Sequence, residues 1–383
     1  MFSLYIHIPF CLRKCNYCNF NSIPCPTPPE DDYITALINE LKFYLSKNEW
    51  KNRKIHTIYL GGGTPSLFSG QGIQHLLEEI YNLCDTSHTQ EITIECNPCT
   101  LTEEKLNYYK TAQINRLSLG SQSFNPETLK ILGRLHKVED TIRCVETAKK
   151  IGFNNISLDL IYGIPEQTFE DLQSDLRDTI NINPQHISAY CLSIEEHTPF
   201  ERMVRENKIT LLKEDIVAEM MNYISDELVK NSYQHYEISN FAKEGFQSKH
   251  NSAYWNQIDY LGLGAGAHSF TKKIGEYGKR WSNVTNPIDY IKNSQTPEKQ
   301  IDFLEILTKE NAKTEFFMLN LRKANGFRIE DFENQFNEPF LEKYQSIINE
   351  LLNENLITFN NNALALSKNG LLFADTIIEK FIL

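Results

Sequence analysis

Short runs of β-branched and aromatic residues recur along the first half of the chain, and each is followed by a segment of helical period. In the segments that begin at Tyr33 and Ile73, apolar residues repeat at i, i+3 and i+4. Strands that alternate with helices form parallel sheets with right-handed crossovers. The pattern predicts an α/β fold containing a partial TIM-type (β/α)6 barrel, with its chemistry at the carboxyl ends of the strands. The predicted strands cover residues 4–8, 57–60, 91–95, 116–120, 156–161 and 186–194.

The pattern changes after Glu195. A long amphipathic stretch and a short strand-like run lead to a glycine-rich segment at residues 261–268. Further on, the sequence predicts helices around residues 316–321 and 340–352, and then a strand pair and a last helix, in the manner of a winged helix. We therefore predict three domains, which are the barrel (residues 1–240), a mixed α/β extension (241–300) and a small C-terminal winged-helix-like domain (301–383).

Composition narrows the possible partners. The formal net charge is -12, so the chain offers no overall electrostatic attraction for nucleic acid or for an anionic membrane. No basic leader precedes the first strand and no apolar run has membrane-spanning length, which predicts a cytoplasmic protein with at most peripheral membrane contact. The nine cysteines are odd in number and irregularly spaced, which favours reduced thiols over a disulfide framework.

Three of these cysteines, Cys11, Cys15 and Cys18, stand within eight residues directly after the first predicted strand. Iron-sulfur clusters are held by thiolates, and a short loop can direct three sulfurs at one cluster while leaving one iron open. The alternative is a structural zinc site, which would need a fourth ligand such as His7 or Cys25. The spacing alone leaves both interpretations open.

Further motifs carry a family resemblance. Residues 5–11, the three-cysteine loop and the Gly-Gly-Gly-Thr-Pro run at residues 61–65 resemble the radical S-adenosylmethionine (SAM) proteins related to oxygen-independent coproporphyrinogen III oxidase. The resemblance extends over nearly the whole chain. It implies a 4Fe-4S cluster on the three cysteines, with SAM chelated to the open iron, and a relation to porphyrin biosynthesis.

The same resemblance assigns residues to SAM. It places Gly62, Gly63 and Thr64 at the ligand, with Tyr5 and Tyr17 flanking the cluster. Four polar residues at or after the third to fifth strands complete the predicted site. An amide, an arginine and two acids complement the amino, carboxylate and ribose groups of SAM. These four residues are Glu95, Gln122, Arg134 and Asp159.

Two features separate the chain from the oxidase branch. The oxidase carries a further cysteine two residues after the third ligand, where this chain has Phe20. It also has an N-terminal extension, for which we expect no counterpart in a chain that starts ten residues before Cys11. The segment Phe20-Asn21-Ser22 and the run at residues 250–255 resemble the haem chaperone branch of the family instead.

The chaperone resemblance implies haem as a ligand and an unidentified haem-acceptor protein as a partner. Imidazole is a common ligand of haem iron, and aromatic neighbours can pack on a macrocycle, so we predict a haem contact at His250, which precedes Tyr254 and Trp255. His268 follows the glycine-rich segment and is left unassigned between SAM and haem. The competing interpretations are an enzyme, either the oxidase or another radical tetrapyrrole enzyme, and a metal-stabilised interaction module.

Overall fold

The computed structural model describes residues 1–382. In its first half, the six long strands lie side by side in chain order and are all parallel, which confirms the predicted (β/α)6 partial barrel. The strands of this half are β1 (Phe2–Ile8), β2 (Phe10–Cys11), β3 (Ile23–Pro24), β4 (Ile55–Gly62), β5 (Glu91–Cys96), β6 (Arg116–Gln122), β7 (Ile156–Tyr162) and β8 (His186–Cys191). The helices are α1 (Glu30–Leu45), α2 (Gly70–Leu83), α3 (Glu103–Thr111), α4 (Pro126–Ile131), α5 (Val138–Ile151) and α6 (Phe169–Ile182).

The two faces of the barrel strands differ in polarity. Successive side chains of a strand point to opposite faces. Each strand therefore has an outer set of side chains that packs against the helices and an inner set that points into the barrel. The outer set is apolar and buried in the main hydrophobic core, as Leu4, Ile58 and Leu117 illustrate. The inner set is mostly polar, and it places ionisable and hydroxyl groups around the barrel axis. Its members include Ser3, Tyr5, His7, Thr57, Tyr59, Glu91, Glu95, Arg116, Ser118, Ser157, Asp159, His186, Ser188 and Tyr190.

The sheet continues on both sides of the barrel and contains 12 strands. Beyond β8 it adds two short antiparallel strands. Beyond β1 it adds a parallel strand and then three antiparallel strands. The added strands are β9 (Gln234–Glu237), β10 (Asn240–Ala242), β11 (Tyr260–Leu263), β12 (His268–Thr271), β13 (Lys279–Asn283) and β14 (Ile301–Ile306). The accompanying helices are α7 (Pro199–Arg205), α8 (Glu214–Lys230), α9 (Lys249–Trp255) and α10 (Pro287–Lys292).

A tight turn divides the glycine-rich segment into β11 and β12. Gly264 and Gly266 both have positive φ, at 105° and 75°, which glycine adopts without steric cost. The buried carboxylate of Glu40 on α1 accepts hydrogen bonds from the Gly264 amide at 3.0 Å and from the Asn283 side chain at 2.7 Å. Burial raises the pKa of Glu40 to about 7, against the opposing effect of its hydrogen bonds. The turn is therefore fixed to the body of the barrel.

The C-terminal segment has its own hydrophobic core, in which Phe317, Phe332 and Phe340 pack against one another. Helices and a three-stranded sheet surround it, as the winged-helix-like pattern predicts. Leu383, the last residue of the predicted C-terminal domain, lies outside the described residues. None of the helices formed by residues 1–382 has the length and apolar character that crossing a bilayer requires. The elements are α11 (Lys309–Asn320), β15 (Phe327–Arg328), α12 (Ile329–Phe336), α13 (Phe340–Asn353), β16 (Ile357–Asn360), β17 (Ala363–Leu366) and α14 (Ala374–Ile382).

Candidate cluster and cofactor site

A cavity of about 410 Å³ opens at the carboxyl ends of the barrel strands. It brings together most of the residues that the sequence singled out, although they come from six separate parts of the chain. Tyr5 and His250 are the two exceptions, since neither lines this cavity. The predicted site residues that line it are Cys11, Cys15, Tyr17, Cys18, Gly62, Gly63, Thr64, Glu95, Gln122, Arg134 and Asp159.

The three-cysteine loop is closed by a short ladder. Strand β2 pairs with β3 in parallel, and the Cys25 amide donates to the Cys11 carbonyl at 2.8 Å, so the loop leaves and rejoins the barrel at one place. Thr64 Oγ1 donates to Cys11 Sγ at 3.3 Å, and Arg134 Nη1 donates to Cys15 Sγ at 3.5 Å. These contacts direct donors at the sulfurs and would stabilise thiolates.

Burial raises the pKa of both the Cys11 and the Cys18 thiols, so without metal these groups remain protonated at neutral pH. Because metal binds the thiolate, loading a cluster releases these protons. Gly63 is required for the close approach of the loop, since a Cβ there would lie 2.9 Å from the Phe10 carbonyl oxygen and 3.0 Å from Cys11 Sγ. The thiol set, the donors on two of its sulfurs and this glycine fit a cluster held by three cysteines.

The zinc alternative fits less well. Within residues 1–382, no three His, Cys, Asp or Glu side chains are grouped as ligands of a single metal ion. A cuboid cluster binds its cysteines at separate irons, so its ligands need no common point. His7, the proposed fourth zinc ligand, is already engaged through both ring nitrogens, at 3.0 Å from Tyr5 Oη and at 2.8 Å from the Asn21 carbonyl oxygen.

Glu95 lies at the end of β5, against the glycine turn. Its carboxylate accepts from the Gly62 amide at 3.1 Å and from the Tyr59 hydroxyl at 2.8 Å. Burial raises the pKa of Glu95 to about 7, although these two hydrogen bonds act in the opposite direction. A carboxyl group that titrates near neutrality in a cleft is a candidate for ligand binding.

Gln122, Arg134 and Asp159 line the same cavity from β6, from the segment after α4 and from β7. Gln122 has φ = 65°, an uncommon conformation for a residue other than glycine and one that is concentrated at functional sites. Arg134 Nη2 donates to the Gly120 carbonyl at 2.8 Å, while its buried Nε has no hydrogen-bond partner within the described chain. Asp159 accepts from Ser118 at 3.1 Å, and burial raises its pKa.

Sequence reasoning missed several cavity residues. Arg116, which is 2% exposed, and Ser188 lie on the inner face of the barrel, and Asn251 reaches the cavity from α9. Their signal was the alternation of each strand, because Arg116 and Ser118, which both line the cavity, alternate with the buried apolar residues Leu117 and Leu119. At the cavity mouth, Phe20 has 62% of its surface exposed, and Lys14 Nζ donates to its carbonyl at 3.1 Å.

His250 lies beneath the cavity rather than in it. It is 1% exposed, its Nδ1 lies 2.8 Å from Thr57 Oγ1, and its Nε2 lies 3.0 Å from Tyr254 Oη. Its ring stacks on Tyr59, and burial lowers its pKa to about 3. Tyr5 joins the same buried aromatic cluster, with its ring centroid 6.3 Å from that of His250. In this conformation both ring nitrogens of His250 are engaged, so the haem contact that we predicted at His250 would require this segment to rearrange.

Family comparisons agree with this geometry. The radical SAM superfamily model matches residues 5–179, and the HemN C-terminal domain model matches residues 307–373. The solved structure of coproporphyrinogen III oxidase (HemN) from Escherichia coli superposes with a TM-score of 0.83 at 22% identity, and the match covers 99% of this chain and 89% of that one. At this identity the likeness shows the fold alone. Residues 5–179 therefore form a radical SAM domain, and the three-cysteine loop lies within it.

Full-length relatives define the family more narrowly. The heme chaperone HemW of Lactococcus lactis is 39% identical over 381 residues, which cover 100% of this chain and 97% of the relative. The heme chaperone HemW of Bacillus subtilis is 36% identical and covers 100% and 99%, and that of Haemophilus influenzae is 37% identical and covers 99% and 97%. The chain belongs to the HemW family.

Proposed function

We propose that this protein binds haem and transfers it to an acceptor protein, on a scaffold that holds a 4Fe-4S cluster and SAM. The observation that carries the proposal is the end-to-end match to proteins named heme chaperones. The cavity supports the cluster and SAM parts of the proposal, because the thiols of Cys11, Cys15 and Cys18 face the glycine turn and the acids Glu95 and Asp159 across one space. A cytoplasmic location fits nine cysteines that are all free thiols.

Different residues of the cavity would bind different parts of the cofactors. Cys11, Cys15 and Cys18 would hold the cluster, and the bound cluster with SAM supplies one-electron chemistry. Gly62 and Gly63 let the glycine turn pack against His7 and the cysteine loop, because a side chain at either position would collide with them, and the turn would then offer its backbone to SAM. Glu95 offers an acceptor to the amino group of SAM, while Arg134 supplies a positive charge beside the Cys15 sulfur.

Haem binding and transfer can be tested separately. We expect about one haem per chain to be retained through gel filtration, because a specific site, unlike an exposed apolar patch, has a fixed stoichiometry. The loaded protein is then mixed with haem-depleted cell fractions, with apomyoglobin as a scavenger of passively released haem. The chaperone function is supported if haem leaves the loaded protein faster as more cell fraction is added. The rate must also exceed the rate of haem transfer to apomyoglobin alone. Loss of all haem on the column contradicts the proposed function.

The oxidase is the second candidate, since its fold is shared over the whole chain. We expect cluster-loaded protein with SAM and reductant to decarboxylate coproporphyrinogen III only in trace amounts. The physical reason is Phe20, which stands in the cysteine loop where the oxidase branch has a thiol, and a phenyl ring can replace neither its metal binding nor its redox chemistry. Chromatography of the products measures this directly. Robust formation of protoporphyrinogen would favour the enzyme.

A further inference from the structure

Helix α9 lies against the amino ends of the barrel strands, whereas the cysteine loop lies at their carboxyl ends. Glu91 is the first residue of β5, and its carboxylate accepts hydrogen bonds from the Lys249 amide at 2.9 Å and from the His250 amide at 3.1 Å. Glu91 is buried, with 2% of its surface exposed. Hydrogen bonds to a carboxylate are stronger than those to a neutral acceptor, so this contact fixes the start of the helix. We call this arrangement the closed position of α9.

The ring of His250 is held at the same end of the barrel. Thr57 Oγ1 donates its proton to Ser3 Oγ at 2.8 Å, so it accepts from His250 Nδ1, which lies 2.8 Å away. The ring proton is therefore on Nδ1, and Nε2 accepts from the Tyr254 hydroxyl at 3.0 Å. A metal binds the ring nitrogen that carries no proton. In the closed position that nitrogen is covered, because His250 is 1% exposed.

The closed position buries few side chains of the helix. Among the seven residues of α9, only His250 and Ala253 are buried. One polar atom is also left without a partner, because Trp255 Nε1 is buried and forms no hydrogen bond within residues 1–382. A buried donor without an acceptor costs free energy. The hydrogen bonds to Glu91 and Thr57 therefore contribute much of the stability of the closed position.

The chain can change direction on both sides of α9. Gly245, which precedes the helix, has φ = 82°, and a Cβ at this position would meet no atom within 4 Å. Gln257, which follows the helix, also has a positive φ, at 49°. Rigid segments rotate about a few loop residues of this kind next to the ends of an element. Both residues lie between β10 and β11, so α9 can turn while the sheet keeps its place.

We propose that α9 is an autoinhibitory segment, which withholds His250 from haem in the closed position and turns away from the barrel about Gly245 and Gln257 when haem binds. The inference rests on the proposed function and concerns the regulation of its haem site. Opening breaks the two hydrogen bonds to Glu91 and uncovers Nε2 of His250 for the iron. Glu91 is a positioning residue, since it holds the helix and does not touch haem.

Haem uptake by Glu91→Gln measures the effect of the closed position. The amide keeps the shape of the side chain but offers a neutral acceptor, which weakens both hydrogen bonds to α9. When only the open fraction of a protein binds a ligand, the apparent affinity is proportional to that fraction. On rapid mixing of cluster-loaded protein with ferric haem, the association rate constant and the affinity should therefore rise by the same factor, about tenfold. The dissociation rate and the Soret band should stay unchanged, whereas a merely structural defect would weaken binding.

A second variant and a matched control accompany it. Thr57→Val removes the acceptor of the His250 ring and should raise the rate and the affinity as well, and it carries the test if Glu91→Gln loses its cluster and so fails to fold. The control is Glu237→Gln. Glu237 is also 2% exposed and accepts a backbone hydrogen bond, from Ser239, but forms none with α9. Haem uptake by this control should equal that of the parent protein, and an equal rise in the control would overturn the inference.

Hydrogen exchange reports the movement itself. Glu91 protects the amides of Lys249 and His250 in the closed position, so these amides should exchange faster in haem-loaded than in haem-free protein, the reverse of the usual protection by a ligand. If the parent protein and both variants retain no haem, the proposed function fails and the inference fails with it. If the parent binds haem, but the variants bind it no faster and no more tightly or the two amides exchange more slowly after loading, α9 does not restrict haem. The inference is then wrong while the chaperone function stands.

Discussion

Replacing Cys15 with alanine should remove the iron-sulfur cluster completely. Anaerobically reconstituted parent protein should hold about four irons per chain, and the variant should hold almost none. The reason is that the cluster needs three thiolate ligands and the variant offers only two. Cys15 is also the sulfur that receives the Arg134 hydrogen bond, so its loss leaves that guanidinium without its thiolate partner. The iron content per chain and the visible absorption of the iron-sulfur cluster measure the effect.

The matched control is Cys25→Ser. Cys25 closes the same loop through its backbone amide, but its thiol points away, with Sγ donating to the Thr27 carbonyl. We expect this variant to keep its iron. Loss of metal from Cys25→Ser, with zinc rather than iron recovered from the parent, would support the zinc site. A triple variant of Cys11, Cys15 and Cys18 that kept a normal iron-sulfur band would overturn the assignment.

The barrel could be predicted because its signal is local. Each strand is a short β-branched run followed by a helical repeat, so strand order and parallel pairing follow from topology rules. The predicted end of the sixth strand at residue 194 was wrong, because β8 ends at Cys191. Leu192 and Ile194 pack instead against the small apolar cluster that includes Ile164 and Phe200. Their apolar character reflects burial outside the sheet, which periodicity cannot distinguish from a strand.

The extension was harder to predict, since its strands are defined by distant partners. Within residues 1–382, strands β12, β13 and β14 pair with one another and with β11, and the one α-helix between them is the short α10. In the site, too, some residues could be predicted from local sequence and others could not. The motifs identified eleven of the residues that line the cavity. Nothing in the sequence, however, shows that His250 would become buried and hydrogen-bond to Thr57, which lies 193 residues away. Exposure of His268 is likewise a property of the folded sheet.

The largest pH effect should appear in SAM binding. SAM carries a permanent sulfonium charge and an amino group, both of which favour the ionised form of Glu95. Since burial raises the pKa of this carboxyl to about 7, binding below that pH must displace its proton. The affinity of the cluster-loaded protein for SAM should therefore fall by up to about tenfold per pH unit below pH 7 and level off above about pH 8. Calorimetry in buffers of different ionisation enthalpy measures the released proton.

Glu95→Gln provides the decisive comparison. The amide cannot ionise, so the variant should bind SAM at least tenfold more weakly at pH 8, because a neutral acceptor makes a weaker hydrogen bond than a carboxylate. It should also lose the part of the pH dependence that Glu95 contributes, and keep the part that belongs to the amino group of SAM. Asp159 lies in the same cavity and its pKa is also raised by burial, so Asp159→Asn is measured alongside it. If the pH dependence survives in Glu95→Gln and disappears in Asp159→Asn, Asp159 carries the titration. If the affinity of the parent protein for SAM does not change with pH, SAM binding displaces no proton from a carboxyl group. Glu95 would then be removed from the proposed site.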